Sequence, residues 1–198
     1  MTTILFQGDS VTDCGRREDP NGLGDGYALA VSQALPGARV LNRGISGNRA
    51  KDLAARWQAD CLDLYPDVVS ILIGINDVWR RYDSNDPTAD AAFEASYRKI
   101  LEPLAARGAK LLLIQPFLLD VSPAVTAMRE DLPGKQAQVR RLAGKFGAAL
   151  LDADALFRAA VEAQGLPPAH FAADGVHPTQ AGHRLLAQAV IGLLRKII

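Results

Sequence analysis

Four short stretches carry side chains whose types and spacing could do chemistry. Near the C-terminus, Asp174 and His177 stand three residues apart in DGVHP. That spacing lets both side chains face one pocket from a turn. The aspartate then holds the imidazole in one tautomer and leaves the other ring nitrogen to take a proton. A proton donor for such a base is Ser10 in GDSVT, two residues after Gly8. A serine in that setting can expose its hydroxyl, although small polar residues also simply make turns. The stretch is not the G-x-S-x-G elbow of the α/β-hydrolases. In NRGISGN, Gly44 has no side chain to keep its backbone N–H from a bound oxygen. Ser46 in the same stretch is a rival nucleophile; it reads better as a structural residue in the N-cap region of the following helix. In GIND, the Asn76 carboxamide could donate to a developing oxyanion, against the commoner use of Asn-Asp as a turn or helix cap.

Other residues invite weaker readings. His170 and His183 flank His177 in sequence, so a metal must be weighed. Zinc needs three or four ligands, and neither H-E-x-x-H nor C-x-x-C spacing occurs, so no metal is expected. Gly22-Leu23-Gly24-Asp25-Gly26 matches no dinucleotide or phosphate fingerprint, and no cofactor is expected. Trp79 and Arg80 follow the Asn76 stretch and either line a pocket or pack against a partner. Trp57 lies on an apolar helix face and reads as core. Cys14 has no histidine beside it in sequence and reads as structural, and Asp9 and Asp13 read as local hydrogen-bonding residues.

These stretches must be held by regular elements. Thr3–Gln7, Ala38–Leu41, Val68–Ile73, Lys110–Ile114 and Ala148–Leu151 read as five short strands. Between them run segments with apolar residues at three-and-four spacing: Tyr27/Ala30/Val31/Ala34, then Leu53/Ala54/Trp57/Cys61. Further helices carry Phe93/Tyr97/Ile100/Leu101/Leu104, Val139/Leu142/Ala143/Phe146 and Leu185/Leu186/Ala189/Val190/Leu193/Leu194. Near-continuous apolar strands such as VVSILI and KLLLI imply burial on both faces. Strand–helix alternation then predicts an α/β fold: a five-stranded parallel sheet in a three-layer α/β/α sandwich. Ligands on such sheets bind beyond the carboxyl ends of the strands, where Ser10, Gly44 and Asn76 all fall.

The chain of 198 residues suffices for a single domain, expected over 1–198. Hydrophobic residues make up 48% and charged residues 22%, as in ordinary globular proteins. With 22 Lys and Arg against 22 Asp and Glu, the net charge argues against a nonspecific nucleic-acid or anionic-membrane binder. MTTILFQGDS shows no basic leader, and no apolar run approaches the roughly 20 residues of a membrane span. Two cysteines fit a reducing compartment, so a cytoplasmic location is expected. Two stretches, Gly15–Gly26 and Phe117–Gly134, read as long loops, either functional or plain surface connections.

GDSVTD, NRGISGN, GINDVW and DGVHP, in this order and across nearly the full chain, resemble the SGNH hydrolases, also called GDSL esterases and lipases. The resemblance implies a flavodoxin-like sandwich and a triad of Ser10, His177 and Asp174. It also implies an oxyanion hole from the N–H groups of Ser10 and Gly44 and the Asn76 side chain. The longer runs GDSVTDCGR, NRGISGNRAKDLAARW and VSILIGINDVWRRYD are similar to intracellular acetylxylan esterases of that family. This implies deacetylation of xylo-oligosaccharides or related carbohydrates, with homo-oligomers as a further expectation. One departure is Ala173, where such esterases are expected to carry a Trp just before the triad aspartate. The alternatives are another short-acyl esterase, a lysophospholipase or a thioesterase of the same family, and, more remotely, a sugar-binding module without catalysis.

Overall fold

The computed structural model describes residues Met1–Ile198. The chain runs β1 Thr2–Gly8, α1 Ser10–Asp13, α2 Tyr27–Ala34, β2 Ala38–Asn42, α3 Ala50–Ala55, α4 Trp57–Asp60 and β3 Val68–Leu72. It continues α5 Ile75–Ser84, α6 Asp90–Ala106, β4 Lys110–Ile114, α7 Pro123–Ala127, α8 Leu132–Phe146, β5 Ala149–Leu151, α9 Ala153–Gln164 and α10 Gln180–Ile197. The five expected strands are present, with ends moved by a residue or so. All pair in parallel, in the order β2-β1-β3-β4-β5.

The layers follow from period-two alternation in strands that are apolar on both faces. Ile4, Phe6, Val68, Leu72, Leu112 and Ile114 point to one side, where α2, α9 and α10 bury Val31, Phe157, Leu186 and Val190. Leu5, Val69, Ile71, Leu111 and Leu113 point to the other, against Leu53, Trp57, Phe93, Tyr97, Leu101 and Leu142 of α3, α4, α6 and α8. Full burial of such a side chain contributes about 1.5–3 kcal/mol, so each face is stabilised by many such increments. Trp57 is core, as its helix face implied.

The strand order places a topological switch between β1 and β3: successive connections leave β1 in opposite directions. Their carboxyl ends are side by side, with Gly8 in register with Leu72. Ligand sites on doubly wound sheets lie at this point. The chain approaches itself closely here. A Cβ on Gly8 would lie 2.3 Å from both the Leu72 carbonyl oxygen and the Thr12 hydroxyl.

Two expectations need correction. Phe117–Gly134 is not a plain loop: it contains α7, a 3-10 turn at Met128–Glu130 and the first turn of α8. Ser122 caps α7 by accepting from Val125 N–H, and Pro123 and Pro133 sit in the first turns, where a missing N–H costs nothing. Ser46 caps no helix, because α3 begins at Ala50 with Arg49 as its N-cap.

Candidate active site

The nucleophile candidate stands on a one-turn helix. Asp9 follows β1 and caps α1 with its side chain, accepting from Val11 N–H at 3.1 Å. The turn stops at Cys14, which adopts a left-handed conformation at φ +45° and returns its N–H to the Ser10 carbonyl. Ser10 is thus the first helical residue, immediately beyond the sheet edge.

A tight turn at the other end of the chain supplies the base. Gly175, at φ +85°, donates to Ala172 O and accepts from Leu119 N at 2.7 Å, which anchors the turn to the chain after β4. One carboxylate oxygen of Asp174 accepts from the N–H groups of Val176 and His177 at 2.9 and 2.7 Å. Its second oxygen lies 2.6 Å from His177 Nδ1. His177 Nε2 lies 2.8 Å from Ser10 Oγ, across 167 positions of sequence.

Charge fixes the direction of these bonds. Burial alone would raise the Asp174 pKa, but the ring and backbone donors of His177 and Val176 outweigh it and hold the carboxyl well below its usual range. Asp174 is therefore an acceptor only, and Nδ1 of His177 carries the proton. Nε2 is left as acceptor for the serine O–H. The hydrogen bond to Asp174 raises the His177 pKa above its ordinary 6.5 against the opposing effect of burial. The two side chains are 48% and 45% exposed, which fits the absence of any bulky cover from exposed Ala173.

Asn76, in the first turn of α5, is buried and donates through Nδ2 to Asn48 O at 3.0 Å. One amide hydrogen remains for another acceptor. Gly44 behaves differently from the expectation. Its N–H is engaged, donating to Asn42 Oδ1 at 2.9 Å. Its missing side chain serves packing instead: a Cβ would lie 2.4 Å from Asp13 N and 2.7 Å from Thr12 C in α1. The N–H groups of Ser10 and Gly47 have no acceptor within the protein. Gly47 stands between Ser46, which shares a cavity with Ser10, and Asn48, whose carbonyl holds Asn76. Gly47 is exposed and adopts φ +81°, and nothing in NRGISGN itself marks this second glycine as the donor.

Trp79 and Arg80 do reach the site. The Trp79 ring lies 6.0 Å from the His177 ring, and Arg80 donates to Asn76 Oδ1 at 3.4 Å while pairing with Asp83. Asp13 accepts from Ser46 N–H at 2.9 Å, so both aspartates flanking Ser10 hold local backbone. Cys14 acquires a histidine in space: its sulfur donates to Asp25 at 2.9 Å and lies 3.3 Å from His183 Nε2. Burial, then Asp25, push this thiol up to about 12, so it remains protonated. His170 and His183 join no metal-binding group; no set of three or more His, Cys, Asp or Glu side chains is placed to hold an ion.

The chemistry this arrangement allows is activation of a serine hydroxyl by a neutral imidazole beside free backbone and amide donors. The model of the GDSL-like Lipase/Acylhydrolase family matches residues 6–185. The chain is 37% identical to an acetylxylan esterase of Geobacillus stearothermophilus, over 95% of this chain and 91% of that one. The crystal structure of Axe2, an acetylxylan esterase from Geobacillus stearothermophilus, superposes with a TM-score of 0.84 at 34% identity, covering 98% of this chain and 94% of that one. LAE5, an alpha/beta hydrolase enzyme from the metagenome of Lake Arreo, gives 0.85 at 30% identity, over 97% and 94%. No helix is long and apolar enough to cross a membrane. With its four sequence blocks gathered at one switch point and the family model spanning most of its length, this chain belongs to the GDSL-like lipase/acylhydrolase family.

Proposed function

We propose that the protein is a serine esterase that removes acetyl groups from acetylated xylo-oligosaccharides through an acyl-enzyme. The observation that carries the reading is the unbroken chain Ser10 Oγ–His177 Nε2 at 2.8 Å and His177 Nδ1–Asp174 Oδ2 at 2.6 Å. Ser10 attacks the ester carbonyl while His177 accepts its proton; as the acyl C–O bond breaks, His177 gives that proton to the departing sugar oxygen, which leaves as a hydroxyl. Asp174 orients the ring and stabilises its charged form. The oxyanion is held by the Ser10 N–H and Asn76 Nδ2, with the free N–H of Gly47 in the role first expected of Gly44. Water then repeats the sequence on the acetyl-serine, releasing acetate and restoring the proton to Ser10.

The substrate class is supported by the acetylxylan esterases among the relatives. It is also supported by the cavity at Ser10, lined by Asp13, Cys14, Gly15, Arg17, Glu18 and Ser46. Such a lining suits a hydroxylated leaving group and a short acyl group, whereas a long acyl chain needs an apolar groove. Two free thiols, Cys14 and Cys61, support a reducing compartment, and we assign the activity to the cytoplasm. The test is acetate release from acetylated xylo-oligosaccharides by wild type and Ser10→Ala, with p-nitrophenyl acetate alongside. Release that disappears in Ser10→Ala is the expected result. Turnover of the aryl ester alone rejects the carbohydrate substrate, and equal activity in the mutant rejects the nucleophile.

A further inference from the structure

The Gly15–Gly26 segment has no regular structure, yet it is tied down at several points. Asp19 accepts the N–H groups of Asn21, Leu23 and Gly24 at 3.1, 2.9 and 3.0 Å. Asn42 Nδ2 donates to Thr12 O at 2.6 Å and Leu23 O at 2.9 Å, joining the segment to α1. Asp25 N–H bonds Cys14 O at 3.0 Å. Gly24, at φ +73°, comes so close that a Cβ would lie 2.3 Å from the Cys14 carbonyl oxygen. The backbone is therefore organised before any ligand arrives, which removes much of the ordering cost of binding.

Two side chains of this segment take no part in that network. The Arg17 and Glu18 side chains are exposed and make no hydrogen bond or ion pair, the Glu18 N–H alone bonding Gly15 O. Both line the cavity of about 300 Å³ that starts at Ser10. Glu18, with Cys14 and Gly15, also lines an adjoining depression of about 590 Å³ that reaches Asp25 and Leu29. The two concavities are separate but share these three residues, and a ligand spanning both would follow one path from the nucleophile along the segment. Its volume is on the scale of small-molecule sites, roughly 300–1,000 Å³. Its polar lining matches sugar hydroxyls, each of which donates one hydrogen bond and accepts others.

We propose that this path is a saccharide subsite. It holds the sugar units beyond the acetylated one, with Arg17 donating to ring hydroxyls and Glu18 accepting from them. This rests on the deacetylase reading and names the residues that would make it selective for an oligosaccharide over a simple acetate ester. Arg17 and Glu18 are positioning residues, since neither touches the reacting atoms.

The test compares wild type, Arg17→Ala, Glu18→Ala and Glu18→Gln on acetylated xylotriose, acetylated xylose and p-nitrophenyl acetate. Each alanine variant is expected to lower the kcat/KM ratio of acetylated xylotriose to p-nitrophenyl acetate about three- to tenfold. That is the scale of one net hydrogen bond, about 0.5–1.5 kcal/mol. The fall is expected in KM more than in kcat, and less for acetylated xylose than for the trimer. Glu18→Gln, which keeps an acceptor oxygen, is expected to recover part of the loss. If wild type deacetylates xylotriose and the alanine variants keep its substrate ratio, the subsite is overturned and the deacetylase reading stands. An equal fall on all three substrates also overturns the subsite, because the residues then support the nucleophile and not the sugar. If wild type hydrolyses only the aryl ester, the deacetylase reading falls and takes the subsite with it.

Discussion

The side-chain oxygen of Asn42 accepts the N–H of Gly44 at 2.9 Å, which turns that N–H away from any ligand. The other end of the same carboxamide holds Thr12 O and Leu23 O, so Asn42 clamps the end of β2 to α1 and to the loop beyond it. Gly44 completes the clamp by packing against the α1 backbone. Gly44→Ala should therefore act on folding and activity together. Its Cβ meets backbone atoms of Thr12 and Asp13 that cannot yield without moving α1, on which Ser10 stands. Overpacking of this kind costs typically 1–3 kcal/mol. A matching fall in Tm and activity is expected; loss of kcat with an unchanged Tm would return Gly44 to the oxyanion hole.

Gly47 and Asn76 should show the opposite balance. Removing one oxyanion donor costs roughly 10²–10³ in kcat. Asn76→Ala is expected in that range on p-nitrophenyl acetate, with KM changed much less. A Cβ on Gly47 meets nothing within 4 Å, but its φ of +81° is a conformation that alanine resists. Gly47→Ala should shift its N–H and lower kcat by tenfold or more while Tm falls only modestly. Full activity in Gly47→Ala would remove that donor from the mechanism.

The pH profile follows from the His177–Asp174 pair. His177 acts as base only when neutral, and its hydrogen bond to Asp174 raises its pKa above 6.5. The acid limb of kcat/KM should therefore bend above pH 6.5, with activity falling as pH decreases through that point. Asp174→Asn removes the charge that raises this pKa and frees the ring to take the wrong tautomer. Its acid limb should move to lower pH while the rate drops on the order of 10⁴. An unmoved limb in Asp174→Asn would show that another group controls the profile.

Much of this arrangement is legible in residue types. Apolar strands such as VVSILI and KLLLI announce a sheet covered on both faces; Gly8 and Asn42 end strands and Gly74 precedes α5, where the chain must turn toward the site. Ser10, Asn76, Asp174 and His177 are recognisable because their chemistry resides in side chains. Backbone donors are not legible in this way. NRGISGN contains two glycines, and only hydrogen-bond partners distinguish the occupied N–H of Gly44 from the free one of Gly47. The Cys14–His183 contact spans 169 positions and has no local signal. The helix at Pro123 did have one, because Ser-Pro at a helix start is a capping pattern. The turn-forming character of Pro133 and Gly134 obscured it.

Asp9 couples the nucleophile turn to pH through stability. It is buried, and desolvation pushes its pKa up to about 7, against the opposing pull of Val11 N–H and His177. In the unfolded chain an aspartate releases its proton near the ordinary 3.8. Between about pH 4 and 7 the folded state thus binds more protons than the unfolded one, and stability falls as pH rises through this window. Asp9→Asn keeps an acceptor oxygen for the Val11 N–H but cannot ionise. The expected outcome of urea unfolding at pH 5 and pH 8 is that wild type loses stability relative to Asp9→Asn at the higher pH. Asp77 and His177 interact with Asp9 through charge, so the difference between the two proteins includes their response to the loss of its carboxylate. Parallel pH dependences for the two proteins would mean that Asp9 ionises as freely in the folded chain as in the unfolded one. Asp9→Ala, which deletes the cap as well, should cost about 0.5–2 kcal/mol at pH 5, where burying the charge is not yet the issue.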